Sequence, residues 1–216
     1  MYNPIEENEV NCIHYQDSMV IKSISDLLIT YIPRNYSCLV ILCIGTDRST
    51  GDSLGPLTGT LLTQLTPRNL HVYGTLHQPV HAINLEETIH HIKTSYTKPF
   101  IIAVDASLGK SSSIGNLICG YGPLQPGAAL NKQLPSVGDV HVTGVVNIGG
   151  FMDYAVLQST RLSVVHDMAS KLSLIFHKVD IWLHHFNKKL SQSIYRHANQ
   201  PIKQTIDDLK ERKLLP

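Results

Sequence analysis

The chain has 216 residues, of which 43% are hydrophobic and 16% charged, a composition that suits a globular domain with a substantial core. Its formal net charge of +1 gives no bulk attraction to nucleic acid or anionic lipid, so we expect neither a nucleic-acid nor a membrane partner. The sequence has no signal peptide and no apolar stretch approaching the ~20 residues of a membrane helix, so we expect a soluble, cytoplasmic protein. It has no CxxC pair, which argues against a zinc knuckle or a dithiol redox motif.

The first elements in chain order are a polar segment and an amphipathic helix. Residues 1–16 are polar and acidic, and we expect them to be flexible. Asp17 has the character of a helix cap, and apolar residues then recur at helical spacing from Val20 to Tyr31. No internal repeat or long linker divides the rest of the chain, so we expect residues 17–216 to form a single α/β domain.

Strands and helices alternate over the next part of the sequence. Cys38–Ile44 is a continuous apolar run, typical of a strand buried on both faces of a parallel sheet. A helix is expected from Pro56. Leu70–Tyr73 predicts a second strand, Leu85–Tyr96 a second helix and Pro99–Val104 a third strand. This alternation predicts a mostly parallel, doubly wound sheet.

The second half of the sequence predicts two further strands and then helices. Its first part is rich in glycine, serine and proline, with strand-like pieces at Ile114–Tyr121 and Val137–Val146. Apolar residues then repeat at helical spacing over 162–176 and again over 179–194. Pro201 suits the first turn of a last helix, so the sequence predicts three helices here.

The loop Gly45–Gly55, between a predicted strand and a predicted helix, carries two acids, Asp47 and Asp52. Ligands of open α/β sheets bind outside the carboxyl ends of the strands, where this loop should lie. A second interpretation is that Asp52 or Ser53 only caps the helix that follows. The loop lacks the GxxxxGK(S/T) and GxGxxG patterns, which argues against a nucleotide site.

Asp105 stands directly after a strand without interior polar residues. Neighbouring parallel strands end at the same edge of a sheet, so Asp105 and Asp52 are expected to face one cleft. Two close carboxylates share a proton, which makes them an acid/base pair able to activate water. The same pair suits a divalent cation, especially with an imidazole nearby. The alternative is a solvated aspartate at a strand end.

His141 is a third candidate. It precedes an apolar segment, and Asp139 lies two residues before it, on the same face if this segment is a strand. Asp139 could therefore orient the imidazole. A packed, hydrogen-bonded histidine is the competing interpretation. Asp47 and Arg48, in the first loop, are candidates for substrate binding, Arg48 toward a carbonyl or carboxylate. No Gly-x-Ser-x-Gly motif indicates a serine hydrolase.

Two segments together resemble a known family. Cys43–Pro56, reading CIGTDRSTGDSLGP, and Ala103–Gly109, reading AVDASLG, closely resemble the YyaC-type sporulation proteins of spore-forming Firmicutes. The resemblance covers roughly residues 35–180. That family is similar to the spore germination proteases and, more remotely, to the hydrogenase maturation endopeptidases. It implies a three-layer α/β/α sandwich with a mostly parallel central sheet.

The resemblance also implies roles for particular residues. The germination proteases use two aspartates, in motifs that Asp52 and Asp105 match here. The hydrogenase proteases bind a nickel-type metal through an acid in the first turn, an aspartate after a later strand and a histidine further on. In this chain those residues would be Asp52, Asp105 and His141.

Our leading hypothesis is a germination-protease-like peptidase of sporulating cells that acts on a protein or peptide. Asp52 and Asp105 would be the catalytic pair activating water, with no cofactor required. One alternative is a non-catalytic spore assembly or scaffold protein on the same fold. A second is a divalent-metal-dependent hydrolase that uses Asp52, Asp105 and His141.

Overall fold

A computed structural model describes residues 11–127, 134–150 and 152–211, with the backbone alone for 190, 191 and 193–211. The chain divides into two compact units, one ending at Asp180 and one beginning at Ile181. In the second unit the described chain is helical, and the rings of Trp182 and Phe186 stack with centroids 5.1 Å apart.

The first unit is built on one six-stranded sheet with the strand order β1-β5-β6-β4-β2-β3. Neighbours β3, β2, β4 and β6 pair in parallel, whereas β5 is antiparallel to both β6 and β1. The sheet is thus mostly parallel, as the alternation of strands and helices predicted. The strands are β1 Asn11–His14, β2 Cys38–Cys43, β3 Leu70–Tyr73, β4 Pro99–Gly109, β5 Asn116–Tyr121 and β6 Val140–Ile148.

Helices cover both faces of this sheet, which gives the α/β/α sandwich. The chain runs from β2 through α2 outward to β3, and then through α3 back across β2 to β4. Right-handed crossovers in opposite directions place α2 and α3 on opposite faces. Of the described helices, none is long and apolar enough to span a membrane. The helices are α1 Val20–Tyr31, α2 Leu54–Gln64, α3 Leu85–Ser95, α4 Asp153–Gln158 and α5 Leu162–Glu211.

Helices pack closely against the sheet on each of its two faces. Leu85 and Ile92 of α3 pack in one cluster with Val40 and Ala103 of the sheet. On the opposite face, a Cβ added to Gly144 of β6 would lie 2.4 Å from Leu54 Cδ2 and 2.8 Å from Met168 Cε. The small residue in β6 therefore lets α2 and α5 approach the sheet closely.

The N-terminal expectation is wrong for part of the segment 1–16. Asn11–His14 forms β1, which pairs antiparallel with β5 in the register Asn11 to Cys119 and His14 to Asn116. Residues 1–10 lie outside the described part of the chain. An edge strand is held by its backbone hydrogen bonds, so polar side chains are compatible with it. Polarity alone did not indicate flexibility here.

Two further boundaries differ from the sequence prediction. β4 continues beyond Val104 to Gly109, because β6 pairs along this extension, with a register shift between Ser107 and Leu108. The three helices expected after residue 160 form one helix, α5, and Pro201 lies within it. The junction of the first two expected helices, at His177 and Lys178, contains no helix-breaking residue.

Candidate active site at the ends of β2 and β4

The first acid of the site is held by a turn packed directly on the end of β2. A short 3-10 turn, Gly51–Ser53, carries Asp52 and leads into α2. The Asp52 carbonyl accepts a hydrogen bond from Thr46 N at 3.2 Å. A Cβ on Gly45, which has φ +142°, would lie 1.9 Å from the Asp52 carbonyl oxygen, and one on Gly55 would lie 2.1 Å from the Ile44 carbonyl oxygen. Only glycine fits at these two contacts.

The second acid, Asp105, lies within β4 beyond the end of β2. The β2 ladder with β4 ends at the pair Cys43 and Val104, so Asp105 is the first residue of β4 past that edge. On its other side Asp105 pairs with Thr143 of β6. Its Oδ1 accepts a hydrogen bond from Ala106 N at 2.8 Å. Asp105 is half-buried and stands on the α3 face of the sheet, as does Ala103 two residues earlier.

Asp52 and Asp105 lie where two cavities meet, and both acids, together with Gly127, line each cavity. Cavity A has a volume of about 260 Å³ and is also lined by Ser107, Gln125, Thr143 and Asp153. Cavity B has a volume of about 330 Å³ and is also lined by Arg48, Ser49, His81, Ile83, Leu134 and Tyr154. The two sequence-predicted acids therefore share one cleft.

The acids also interact electrostatically. Burial, and after it the charge of Asp52, raises the pKa of the Asp105 carboxyl to about 8. Backbone hydrogen bonds from Ala106 and Gly127 act in the opposite direction and are the smaller effect. At neutral pH Asp105 thus holds its proton while the charge of Asp52 acts on it. A protonated and an ionised carboxyl at one site are the parts of a general acid and a general base.

The two candidates for substrate binding are both exposed, and they differ in position. Arg48 lines cavity B, and its backbone N–H donates to Thr46 Oγ1 at 3.3 Å. Asp47 is not among the residues that line either cavity. The same loop therefore presents a cation, and not the first of its two acids, to the cleft.

His141 is not brought into this site. Its Nδ1–H donates to the Gly122 carbonyl at 2.9 Å, and a Cβ on Gly120 would lie 2.7 Å from its Cε1. The ring therefore packs over Gly120 of β5. His141 precedes Thr143 by two residues in β6, so it lies about 7 Å along that strand from the residue that faces the cleft. Asp139 does not orient it, because the Asp139 Oδ2 accepts a hydrogen bond from Ile101 N at 2.8 Å.

This geometry does not fit the metal set that the resemblance implied. Within the described ranges, no three histidine, cysteine, aspartate or glutamate side chains are grouped so that they could hold one metal ion. All of Asp52, Asp105 and His141 belong to those ranges. The third ligand is missing because the imidazole is packed in the sheet.

Several cleft residues were not identified from the sequence. Thr143 faces cavity A because it pairs with Asp105, a fact of register that no local pattern contains. Asp153 lines the same cavity at the start of α4, where its Oδ1 accepts the Gly150 N–H at 2.9 Å. Ser107 was recognisable only as the residue two positions after Asp105, on the same strand face.

Comparisons with known proteins place the chain in a family. Uncharacterized protein YyaC of Bacillus subtilis (strain 168) is 55% identical over 135 residues, which is 62% of this chain and 66%, just under two thirds, of that protein. The crystal structure of a [NiFe] hydrogenase maturation protease, HycI from Thermococcus kodakarensis KOD1, is similar with a TM-score of 0.47 and 17% identity, over 73% of this chain and 97% of that one. The resemblance to YyaC-type proteins is thus confirmed. A family model described as a protein of unknown function (DUF1256) matches residues 12–175, and the chain belongs to this family.

Proposed function

We propose that this protein is a peptidase in which Asp52 and Asp105 activate water for attack on an amide carbonyl. The observation that carries the proposal is the shared cleft of the two acids, with the pKa of Asp105 raised to about 8 by burial and by the Asp52 charge. An exposed aspartate at a strand end has no reason to hold a proton at neutral pH. The acid of a water-activating pair, in contrast, must hold a proton at neutral pH in order to donate it.

The chemistry follows from the protonation states. The Asp52 carboxylate takes a proton from a water molecule, whose oxygen bonds to the amide carbon. Asp105 donates its proton to the carbonyl oxygen, which gives a neutral tetrahedral intermediate. When the carbon–nitrogen bond breaks, the proton on Asp52 passes to the departing amine and Asp105 regains its own proton from the intermediate. The pair ends as it began, with no external reactant other than water.

The setting of this activity is proposed from the family. The YyaC-type resemblance supports a role in the cytoplasm of sporulating cells, and the likeness of that family to germination proteases supports a protein or peptide substrate. Arg48 at the wall of cavity B is positioned to meet a carbonyl or carboxylate of such a substrate. Asp52 supplies the base and Asp105 the acid, and in the described part of the chain no set of three possible metal ligands is grouped around them.

The test compares the full chain with Asp52→Asn and Asp105→Asn. Each protein is incubated with an extract of sporulating cells, and new peptide termini are followed over time by mass spectrometry. We expect each substitution to reduce cleavage by at least about 100-fold, since a positioned acid or base contributes about that much. Asp167→Asn is the matched control, because Asp167 is an exposed aspartate of α5 outside both cavities.

Two outcomes would contradict the proposal. Equal cleavage by the native chain and both variants would remove the acids from the mechanism. Absence of cleavage by the native chain between pH 5 and pH 9, with or without added divalent metals, would favour the non-catalytic spore assembly protein instead.

A further inference from the structure

Two buried hydroxyl groups stand on opposite sides of the acid pair without hydrogen-bond partners. In the described part of the chain, three buried side-chain nitrogen or oxygen atoms have no partner, and two of them are Ser49 Oγ and Ser107 Oγ. Ser49 is 5% exposed and lines cavity B, whereas Ser107 lines cavity A. An unsatisfied buried hydroxyl is costly, so its presence in a native structure calls for an explanation.

The position of each serine is fixed by the elements that carry the acids. Ser107 follows Asp105 by two residues in β4 and stands on the same strand face. Ser49 is in the turn of Asp52, where its carbonyl accepts a hydrogen bond from Ser53 N at 3.0 Å. Ser53 Oγ of that turn donates to the Thr50 carbonyl at 2.6 Å, whereas Ser49 Oγ does not bond to the turn. The two hydroxyls thus flank the site where the cavities meet.

We infer that an extended, internal segment of a polypeptide lies through both cavities across the acid pair, with Ser49 and Ser107 hydrogen-bonding to its main chain on either side. This deepens the proposed function and rests on it, because it names the substrate as a chain that continues on both sides of the scissile bond. A polypeptide main chain alternates donors and acceptors along its length. A serine hydroxyl can both donate and accept, so it can satisfy either group.

The walls of the two cavities predict different side chains. In cavity B, Ile83 is 91% exposed and Tyr154 59% exposed, and Leu134 also lines this cavity. Apolar side chains exposed at a cleft mouth favour a large apolar residue of the ligand. Cavity A is the smaller of the two and presents Gln125, Thr143 and Asp153 among three leucines, which favours a smaller residue with both polar and apolar surface.

Both hydroxyl oxygens are shielded from solvent in the structure. Binding therefore includes a rotation about χ1 that turns each Oγ toward the ligand, a change between staggered positions that serine makes at small cost. Removing either hydroxyl deletes an unsatisfied group from the free protein and a hydrogen bond from the complex. The two serines should consequently be neutral or unfavourable for stability and favourable for binding.

The experiment measures binding separately from cleavage. All proteins carry Asp52→Asn so that bound peptide is not cut. The probe is a synthetic random mixture of octapeptides, acetylated at the N-terminus and amidated at the C-terminus, and a parallel mixture has free termini. Peptides enriched on the immobilised full chain are sequenced, and the affinity of one labelled peptide is measured by fluorescence anisotropy. Ser49→Ala and Ser107→Ala are compared with Ser173→Ala, a buried serine of α5 whose Oγ donates to the Ser170 carbonyl at 2.9 Å.

We expect the blocked peptides to bind, with a large apolar residue enriched at one position. Ser49→Ala and Ser107→Ala should each weaken binding about three- to tenfold, the equivalent of one hydrogen bond. Neither should lower the melting temperature. Ser173→Ala should leave the affinity unchanged, because its hydroxyl is already bonded within α5.

Three results would overturn the inference: no binding of blocked peptides, binding only of peptides with free termini, or unchanged affinity in both serine variants. The proposed function is tested separately by cleavage of the enriched peptide with the native chain. Serine-dependent binding without cleavage would support the binding of a polypeptide through both cavities and would contradict the proposed peptidase activity.

Discussion

Asp52 and Asp105 reach one cleft from different elements, a turn before α2 and the extension of β4, and the charge of one acts on the proton of the other. Burial is the larger cause of the raised pKa of Asp105 and the Asp52 charge is the next.

The first prediction concerns the pH dependence of stability. The pKa of Asp105 is about 8 in the folded protein, whereas an aspartate side chain free in water has a pKa of 3.8, so between these values the folded state keeps a proton that the unfolded state loses. The contribution of Asp105 is therefore fully present below the lower value and is lost as pH rises through the upper one. Asp105→Asn should equal the native chain in free energy of unfolding near pH 4 and exceed it at pH 9, by on the order of 2 kcal/mol.

Urea titrations of both proteins at a series of pH values measure this difference. Asp52→Asn is the informative control, because removing the neighbouring charge should move the upper end of the window to lower pH. A difference between Asp105→Asn and the native chain that does not change from pH 4 to pH 9 would contradict the assigned pKa.

The second prediction concerns the glycine that seats the turn of Asp52. A Cβ at Gly45 would meet the Asp52 carbonyl at 1.9 Å, and Gly45 has φ +142°. Gly122 also has a positive φ, +94°, but a Cβ there would have nothing within 4 Å. Gly45→Ala should lower the free energy of unfolding by about 3 kcal/mol or more. Gly122→Ala should lower it only by the conformational strain, about 1–2 kcal/mol. Equal losses in chemical denaturation would show that the close contact does not hold the turn.

The sequence allowed the acids and their shared edge to be predicted because that information is local. The apolar runs ending at Ile44 and Val104 identified parallel strands, and the acids follow those strands. Thr143 could not be found in this way, since it enters the cleft through its register with Asp105. Register depends on pairing between distant segments, which one sequence does not display.

The surroundings of His141 and the place of β1 could not be predicted from the sequence, for related reasons. The sequence placed His141 in a strand but could not show that Gly120 of β5 makes room for its ring. Likewise, Asn11–His14 lacks apolar periodicity, and its place at the sheet edge depends on the partner strand β5. In both cases the deciding contact is with an antiparallel strand that the sequence did not position.

The third prediction reverses our sequence-based view of the N-terminal segment. Deletion of residues 1–16 removes β1 and leaves the backbone of β5 without a partner on that side. We expect the melting temperature to fall by about 4 °C or more relative to a deletion of residues 1–10, which retains β1. Coincident melting curves for the two deletions would show that β1 contributes nothing to stability.

The fourth prediction separates His141 from catalysis. His141→Ala removes the hydrogen bond to the Gly122 carbonyl and the ring that covers Gly120, so it should lower the free energy of unfolding by about 1–3 kcal/mol. Because the imidazole lies outside the cleft, the rate of peptide cleavage at a temperature where the variant is folded should stay within about threefold of the native rate. A folded His141→Ala protein as inactive as Asp105→Asn would restore the histidine to the site.

The last prediction joins the two acids in one pH profile. The proposed mechanism requires Asp105 protonated and Asp52 ionised in the free enzyme, so kcat/KM should form a bell. Its upper limb should fall near pH 8, the pKa of Asp105, because above it the acid has lost its proton. Asp52→Asn and Asp105→Asn should each abolish the chemistry, and the double variant should be scarcely worse than either, since residues that act as a unit are not additive. The profile is measured with one defined peptide at constant ionic strength, and far-UV circular dichroism at each pH shows that the protein is still folded. A cleavage rate that keeps rising beyond pH 9, or losses that multiply in the double variant, would mean that Asp105 does not donate a proton in the step where Asp52 accepts one.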